Sequence, residues 1–149
     1  MPADQELAAF RETFRLDELT VSEGAHWVAS VRPGQITLGS MVISSARGLL
    51  DFADLDADSG ATLGAAFGEA ERLARRLFGA VRVNFVALMM KDPIIHFHAL
   101  PRYDTDVQRY GRTWEDSDWP GPPTFGPAPT DDETLLALVT DLRDAIGSH

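Results

Sequence analysis

The sequence predicts an α+β domain: an antiparallel sheet of about five strands, one long helix packed across it, and a helix near each end of the chain. Two observations support this class. Period-two and β-branched runs, broken by short turns, fill residues 19–45 and 81–101, and strands joined by short turns pair antiparallel. Apolar residues at helical spacing fill residues 4–15, 56–78 and 131–146.

The first half of the chain supplies a terminal helix, three strands and the long helix. The terminal helix is predicted over Asp4–Arg15. The long helix is predicted over Asp58–Phe78, with Asp58 or Ser59 as its N-cap and Gly79 as its stop. The three strands lie between these helices: Leu19–Glu23, Trp27–Val31 and Ile36–Ser45.

The second half contains a strand pair and the last helix. Strands are predicted at Val81–Met90 and Ile94–Pro101, with a tight reversal at Lys91–Pro93 between them. Residues 104–130 are rich in proline, glycine and tryptophan, which predicts a long irregular segment. The chain then forms a C-terminal helix over residues 131–146.

Composition limits the classes of function. The chain has 149 residues, of which 44% are hydrophobic, so it can bury a core. Its net charge is −10, which argues against binding to duplex nucleic acid. No apolar run approaches the length of a membrane span, and we expect a cytoplasmic protein with no membrane partner. Without cysteine, histidines, acids and hydroxyls must carry any chemistry. No repeat or long linker divides the chain, so one domain is expected over residues 1–149, with its core at about 18–103.

Two histidines on the last strand form the candidate chemical centre. His96 and His98 are separated by one residue, so strand alternation places both imidazoles on one face. A hairpin that reverses about Asp92 would bring further side chains to that face. They are Leu88 opposite His96, Val86 opposite His98, Asn84, and Arg82 opposite Arg102.

Such a pair is compatible with several functions. A neutral imidazole held by a hydrogen bond can attack phosphorus, and a second imidazole can donate a proton or stabilise a phosphoryl oxygen. The same pair could instead be two partly buried or surface histidines with no chemical role. A third hypothesis is a zinc or iron site made by His96, His98 and an acid such as Asp104.

The strand pair resembles a family signature. Val83–Tyr103 is similar to the signature strands of the histidine triad superfamily of nucleotide hydrolases and transferases, whose motif is His-φ-His-φ-His-φ-φ, with φ an apolar residue. The likeness extends upstream through Glu23–Pro33 and Leu38–Ile43, and covers about residues 18–103 in order. Trp119-Pro-Gly-Pro resembles a tail motif of bacterial members that are diadenosine tetraphosphate hydrolase-like.

The resemblance implies a reaction and an assembly. His96 falls on the middle histidine, the nucleophile that forms a covalent nucleotidyl intermediate at an α-phosphate. His98 falls on the third, which contacts the phosphate and helps the leaving group depart. No metal and no other cofactor is implied in the chemical step. Members of the family generally form homodimers through the long helix and an edge strand, and the stripe of Gly64 and Gly68 suits that contact or packing inside the domain.

Substrate-binding residues are also implied, together with departures from the motif. Ile94 takes the place of the first histidine, and Arg32 stands where the family has an acidic or amide residue that binds ribose. Asn84 is expected at the phosphate or ribose, or at a strand-end hydrogen bond, and Arg102 at ligand or at surface acids. Ser40 replaces a histidine of the opening strands. Ile94 and Arg32 favour a second hypothesis, a nucleotide-binding protein that has lost turnover.

Overall fold

The computed structural model describes residues 2–147, and these form the predicted α+β architecture around one five-stranded antiparallel sheet. The strands are β1 Thr20–Glu23, β2 Trp27–Val31, β3 Met41–Ser45, β4 Arg82–Val86 and β5 His96–Arg102, in the order β1-β2-β3-β5-β4. The helices are α1 Pro2–Thr13, the short α2 Leu16–Leu19, α3 Ala57–Phe78 and α4 Asp132–Gly147, with a 3-10 turn at Phe52–Asp54.

The two faces of the sheet carry separate apolar cores because side chains alternate along each strand. One face packs against α3 and α4, and its core includes Ile43 of β3 and Leu73 of α3. The other face packs against α1 through Phe10 and Phe14. His98 pairs with Val42, a member of this second core, so the two histidines of β5 lie on the α1 face.

Strand β3 begins at Met41, five residues later than the sequence predicts. The cause is the side-chain amide of Gln35, which is buried in the preceding turn. Its oxygen accepts from the amides of Gly39 and Ser40 at 2.8 and 3.0 Å, and its nitrogen donates to the carbonyls of Arg32 and Ser40. These bonds pair the amides of Gly39 and Ser40 inside the turn, so these amides are not available to a strand partner.

Helix α3 has the predicted end but a different start. Gly79 follows it at φ 76°, a left-handed conformation that glycine adopts without strain. The N-cap is Asp56, whose carboxylate accepts from the amide of Ser59, so the predicted caps Asp58 and Ser59 are wrong. No helix within residues 2–147 is long and apolar enough to cross a membrane.

The strand pair β4 and β5 has the predicted register but no tight reversal. Val86 pairs with His98, and Arg82 with Arg102, as expected. The ladder ends there, and residues 87–95 form a loop, so Leu88 does not pair with His96. The backbone of Ile95 does not bond to β4, because its amide donates to the carbonyl of residue 49 and its carbonyl accepts from the amide of residue 45.

The segment predicted to be irregular contains a small hairpin. Strand β6 Val107–Arg109 pairs with β7 Arg112–Trp114, and the turn residues Tyr110 and Gly111 have φ of 54° and 72°. Two consecutive residues with positive φ are typical of a type I′ hairpin turn. The remainder, residues 115–131, has no helix or strand and touches the turn after β2 through one bridge between Gly34 and Pro129.

Candidate active site

His96 and His98 form an adjacent pair on a central strand. Their ring centroids lie 5.0 Å apart, and the residues are 3% and 5% exposed. Strand β5 is hydrogen-bonded to β3 on one side and β4 on the other. The sheet therefore fixes the spacing of the two rings, which is the condition for either of them to act on a bound group.

The ring of His96 is oriented by its own strand. Its Nδ1 lies 2.7 Å from the carbonyl oxygen of Ile94, and a carbonyl can only accept, so Nδ1 carries the proton. The neutral ring then has its lone pair on Nε2. Phe10 of α1 and Phe14, just beyond that helix, pack beside this ring, with centroids at 5.2 and 5.5 Å, and hold it in place.

The ring of His98 is fixed in the opposite tautomer. The Nε–H of Arg32 donates to Nδ1 of His98 at 3.2 Å, so Nδ1 is the acceptor and Nε2 carries the proton of the neutral ring. Burial, then the neighbouring charges of His96 and Arg32, lower the pKa of His98 to about 3. His98 is therefore neutral at physiological pH and offers an N–H donor.

Arg32 is a buried cation that lines the same site. Its guanidinium donates to the carbonyl of Gly34 at 2.6 Å and to that of Gly126 at 3.1 Å. The ring of Phe125 lies 5.2 Å from its Cζ. Within residues 2–147 no carboxylate forms an ion pair with it, and its burial lowers its pKa. An arginine remains charged, so the site carries an uncompensated positive charge.

The two histidines and Arg32 open into a cavity of about 320 Å³, the size of a small-molecule site. Its rim is the loop after β4, where Met90 is 79% exposed. Most of the wall is apolar, with Lys91 and Asp92 at the rim. The lining residues are Phe14, Arg32, Leu88, Met89, Met90, Lys91, Asp92, His96, His98 and Phe125.

Two predicted substrate-binding residues lie outside this cavity. The guanidinium of Arg102 forms a two-pronged ion pair with Asp116 at 2.7 and 3.1 Å, and both side chains are nearly fully buried. Asn84 accepts from the same guanidinium at 2.9 Å. The expected alternative for Arg102 was a surface acid, whereas its partner Asp116 is buried. The expected alternative for Asn84 was a strand-end hydrogen bond, whereas it lies in the middle of β4. Their role at a substrate stays a prediction that this position does not support.

Ile94 also lies away from the cavity. Its side chain is 0% exposed and belongs to the core beneath α1, with Phe10 and Val42 among its neighbours. It precedes the first paired residue of β5, where the chain leaves the regular strand. Substrate contact by this side chain remains a prediction without geometric support, and its carbonyl is the group that acts on His96.

Sequence reasoning missed two aromatic residues of the site. Phe125 packs edge-on against His98 with centroids 4.7 Å apart, and Phe14 lies 6.2 Å from the same ring. Phe14 belongs to a helical pattern that could have been placed on the histidine face only if its partner were known. Phe125 lies between glycine and proline residues, and no local pattern distinguishes it.

Within residues 2–147, no group of three or more histidines, aspartates or glutamates is arranged to hold a metal ion. Asp104, named above as a third ligand, is exposed beyond β5. The described part of the chain therefore gives the metal hypothesis no support.

Comparisons with solved structures give the fold a family context. A hypothetical histidine triad nucleotide-binding protein from Sulfolobus tokodaii is similar with a TM-score of 0.70 and 14% identity, over 93% of this chain and 89% of that one. A histidine triad protein from Sinorhizobium meliloti has a TM-score of 0.69 and 18% identity, over 89% of this chain and 93% of that one. A histidine triad protein from Marinobacter aquaeolei has a TM-score of 0.64 and 19% identity, over 92% of this chain and 94% of that one.

No family model and no curated protein matches the sequence. At identities of 14–19% the structural likeness establishes a shared fold. The chain therefore has the histidine triad fold.

Proposed function

We propose that the protein is a nucleotide hydrolase or nucleotidyl transferase that acts at an α-phosphate through a covalent nucleotidyl-His96 intermediate. The observation that carries this proposal is the 2.7 Å bond between Nδ1 of His96 and the carbonyl of Ile94. It leaves a nucleophilic Nε2 on a rigid strand beside a cavity. The fold, shared with histidine triad proteins, supports the same conclusion.

The proposed reaction has two displacements. Nε2 of His96 attacks phosphorus, an N–P bond forms, and the bond to the leaving group breaks with its electron pair on that group. The N–H of His98 donates to a phosphoryl oxygen, and the charge of Arg32 favours an anionic ligand. In the second displacement, water or an acceptor hydroxyl forms an O–P bond as the N–P bond breaks. The electron pair of the N–P bond returns to Nε2 of His96, and the proton of the attacking oxygen passes to solvent.

A second candidate is a nucleotide-binding protein with little or no turnover. The packing of Phe10 and Phe14 against His96, which leaves the residue 3% exposed, favours it. Both candidates predict nucleotide binding in the same cavity, and they differ in whether a bond is broken.

Release of nucleoside monophosphate decides between them. A panel of adenylylated and guanylylated compounds should yield monophosphate with the native protein, and quenched reactions should show a mass increase of one nucleotidyl group. His96→Ala should abolish both signals, because the described cavity contains no other imidazole with a free, oriented Nε2. His26→Ala is the matched control, since His26 contacts Ser59 and does not line the cavity.

Full activity in His96→Ala would refute the covalent route. Binding without monophosphate release in the native protein would select the second candidate. Circular dichroism of both variants shows whether the fold persists.

We further propose a homodimer formed through α3 and the edge strand β4. The outer side of β4 has no strand partner within residues 2–147. Beside it, Phe67 of α3 stacks on Phe85 of β4 at 4.1 Å. Gly64 is exposed, and a Cβ built on it meets nothing within 4 Å, so this glycine leaves room for a partner instead of packing on the sheet.

A cytoplasmic location and membership of the diadenosine tetraphosphate hydrolase-like branch stay predictions.

A further inference from the structure

We propose that the bond from Arg32 makes His98 a fixed hydrogen-bond donor that cannot serve as a general acid, so that the site cleaves phosphoric anhydrides in preference to phosphoramidates. This inference rests on the proposed function and names the class of bond that it acts on. It concerns the leaving group only.

Arg32 determines which nitrogen of the His98 ring carries the proton. Its Nδ1 accepts from Nε–H of Arg32 at 3.2 Å, so its single proton is on Nε2. To give that proton away the neutral ring would have to become an imidazolate. Arg32 cannot replace the proton by releasing its own, because a guanidinium stays protonated in proteins. A neutral His98 therefore donates a hydrogen bond but does not release a proton.

The same contact with Arg32 disfavours a His98 ring that is protonated on both nitrogens. A proton on Nδ1 would face the Nε–H of Arg32 and would place two cations in contact, with His96 on the same strand face. Phe14 and Phe125 pack around the ring and contribute no charge. The other ionisable groups that line the cavity, Lys91 and Asp92, lie on its rim.

The guanidinium is itself held by more than His98. Its two terminal nitrogens donate to the carbonyls of Gly34 and Gly126, which fixes the direction of Nε–H. Because these acceptors lie on separate segments, Arg32 cannot turn away from His98 without breaking both bonds. The tautomer of His98 is thus a property of the fold.

The chemical consequence concerns the bond that breaks. When His96 attacks an anhydride, the P–O bond breaks and its electron pair leaves on a phosphate oxygen, which is stable without a proton. When it attacks a phosphoramidate, the P–N bond breaks and the pair remains on an amine nitrogen, which needs a proton to depart. A site without a general acid loses about 10²–10⁴-fold on the second reaction.

Two substrates with one nucleotide test this. Adenosine 5′-diphosphate and adenosine 5′-phosphoramidate both release AMP, and the guanosine pair serves as a second set because the base is unknown. We expect kcat/KM for the anhydride to exceed that for the phosphoramidate by about 10²-fold or more. Equal values, or a preference for the phosphoramidate, would overturn the proposal. If none of the four compounds releases a nucleoside monophosphate, the proposed function is wrong, and the proposed preference for anhydrides is then wrong as well.

An activity-free measurement tests the cause separately. Nitrogen-15 NMR of the histidine rings in the native protein should show His98 protonated on Nε2 and not titrating between about pH 5 and 8, where an ordinary imidazole titrates. In Arg32→Met, titration should return, and the anhydride preference should fall about tenfold or more because an imidazolium can give up a proton. If the native His98 titrates normally, or if Arg32→Met leaves its tautomer unchanged, the Arg32 bond is not the cause.

Three variants separate this role from a structural one. Arg32→Leu removes both the cation and the Nε donor, gives the same expected change in tautomer, and replaces Arg32→Met if that variant does not fold. Thr130→Val removes the hydroxyl that accepts from the backbone amide of Gln35, next to the Arg32 contacts, and should leave His98 unchanged. Arg143→Met removes an arginine that donates to the carbonyl of Thr20, outside the cavity. A tautomer change in either of these last two would show a general structural effect and overturn the proposal.

Discussion

The two histidines of β5 have the same residue type, strand and face but opposite tautomers. A carbonyl two residues away fixes the proton of His96 on Nδ1, and a cation 66 residues away fixes that of His98 on Nε2. His96 therefore has a lone pair on Nε2, and His98 has an N–H hydrogen-bond donor there. This division of roles depends on the partners of the rings and not on the histidines themselves.

Sequence alone predicted the pair and its common face, because alternation along a strand is a local property. It did not predict the tautomers, since Arg32 reaches His98 only after the chain has folded. The same holds for Ile94. Alternation places it on the face of the two histidines, where it packs with Phe10 and Val42, but the sequence did not show that the side chain is buried in that core and not open to the cavity.

The lowered pKa of His98 predicts a pH dependence of stability. Its pKa is about 3 in the folded protein and near the ordinary 6.5 in the unfolded chain, so protonation favours unfolding. The contribution of neutral His98 is complete above about pH 6.5 and is lost as the pH falls toward 3. The loss is at most about 1.4 kcal/mol per pH unit.

Denaturant unfolding of the native protein and of His98→Gln measures this contribution. The difference between their free energies of unfolding should shrink as the pH is lowered from 7 to 4, because glutamine does not titrate there. Comparison with the variant removes the shared contribution of the acidic residues. A difference that stays constant with pH would show that His98 has an ordinary pKa.

At the scale of elements, the predicted strands formed wherever alternation and flanking turns agreed. The errors lie where side chains satisfy the backbone in place of a ladder, as Gln35 does before β3. The short hairpin β6–β7 was missed because Tyr110 adopts a positive φ that its residue type does not predict. These are local decisions made by contacts that form only in the folded chain.

The buried ion pair between Arg102 and Asp116 ties the segment after β7 to the end of β5. The carboxylate also accepts from the amide of Tyr103, and the guanidinium donates to the carbonyl of Gly121. Removal of one partner leaves the other charge buried without compensation. Asp116→Asn should therefore lower the free energy of unfolding by about 3–5 kcal/mol.

The neighbouring Asp118 provides the control for this prediction. It is exposed and accepts from the amide of Thr124, so Asp118→Asn should lower the free energy of unfolding far less than Asp116→Asn does. Urea unfolding of both variants gives the two values. Equal effects would mean that the Arg102 pair contributes no more than a surface hydrogen bond.

For the whole molecule, the distribution of charge matters more than its sum. The chain has a net charge of −10, yet the candidate site holds a buried arginine without a carboxylate partner within the described residues. An acidic surface disfavours long polyanions, while a single enclosed cation favours a small anionic ligand. The composition predicted the first property, and only the folded arrangement of Arg32 revealed the second.

The assembly is predicted from the surface beside β4. Phe52 is 50% exposed and stacks on Phe97 at 5.9 Å, next to the stacked pair of Phe67 and Phe85. An edge strand beside one exposed aromatic ring and three half-buried ones is a surface that a second copy can cover. Sedimentation equilibrium at micromolar concentration should therefore give twice the chain mass of 16.3 kDa.

A substitution at Gly64 tests whether α3 forms this contact. A side chain there meets nothing within 4 Å in the monomer, and replacing a helical glycine favours the helix, so Gly64→Arg should fold normally. In a dimer through this face the arginine would occupy the space of the partner and shift the equilibrium to monomer. Ala65→Arg is the matched control, because Ala65 is also exposed but lies about 100° further round the helix. If the native protein sediments as a monomer, the dimer is wrong, and if Gly64→Arg remains dimeric, the contact lies on another face.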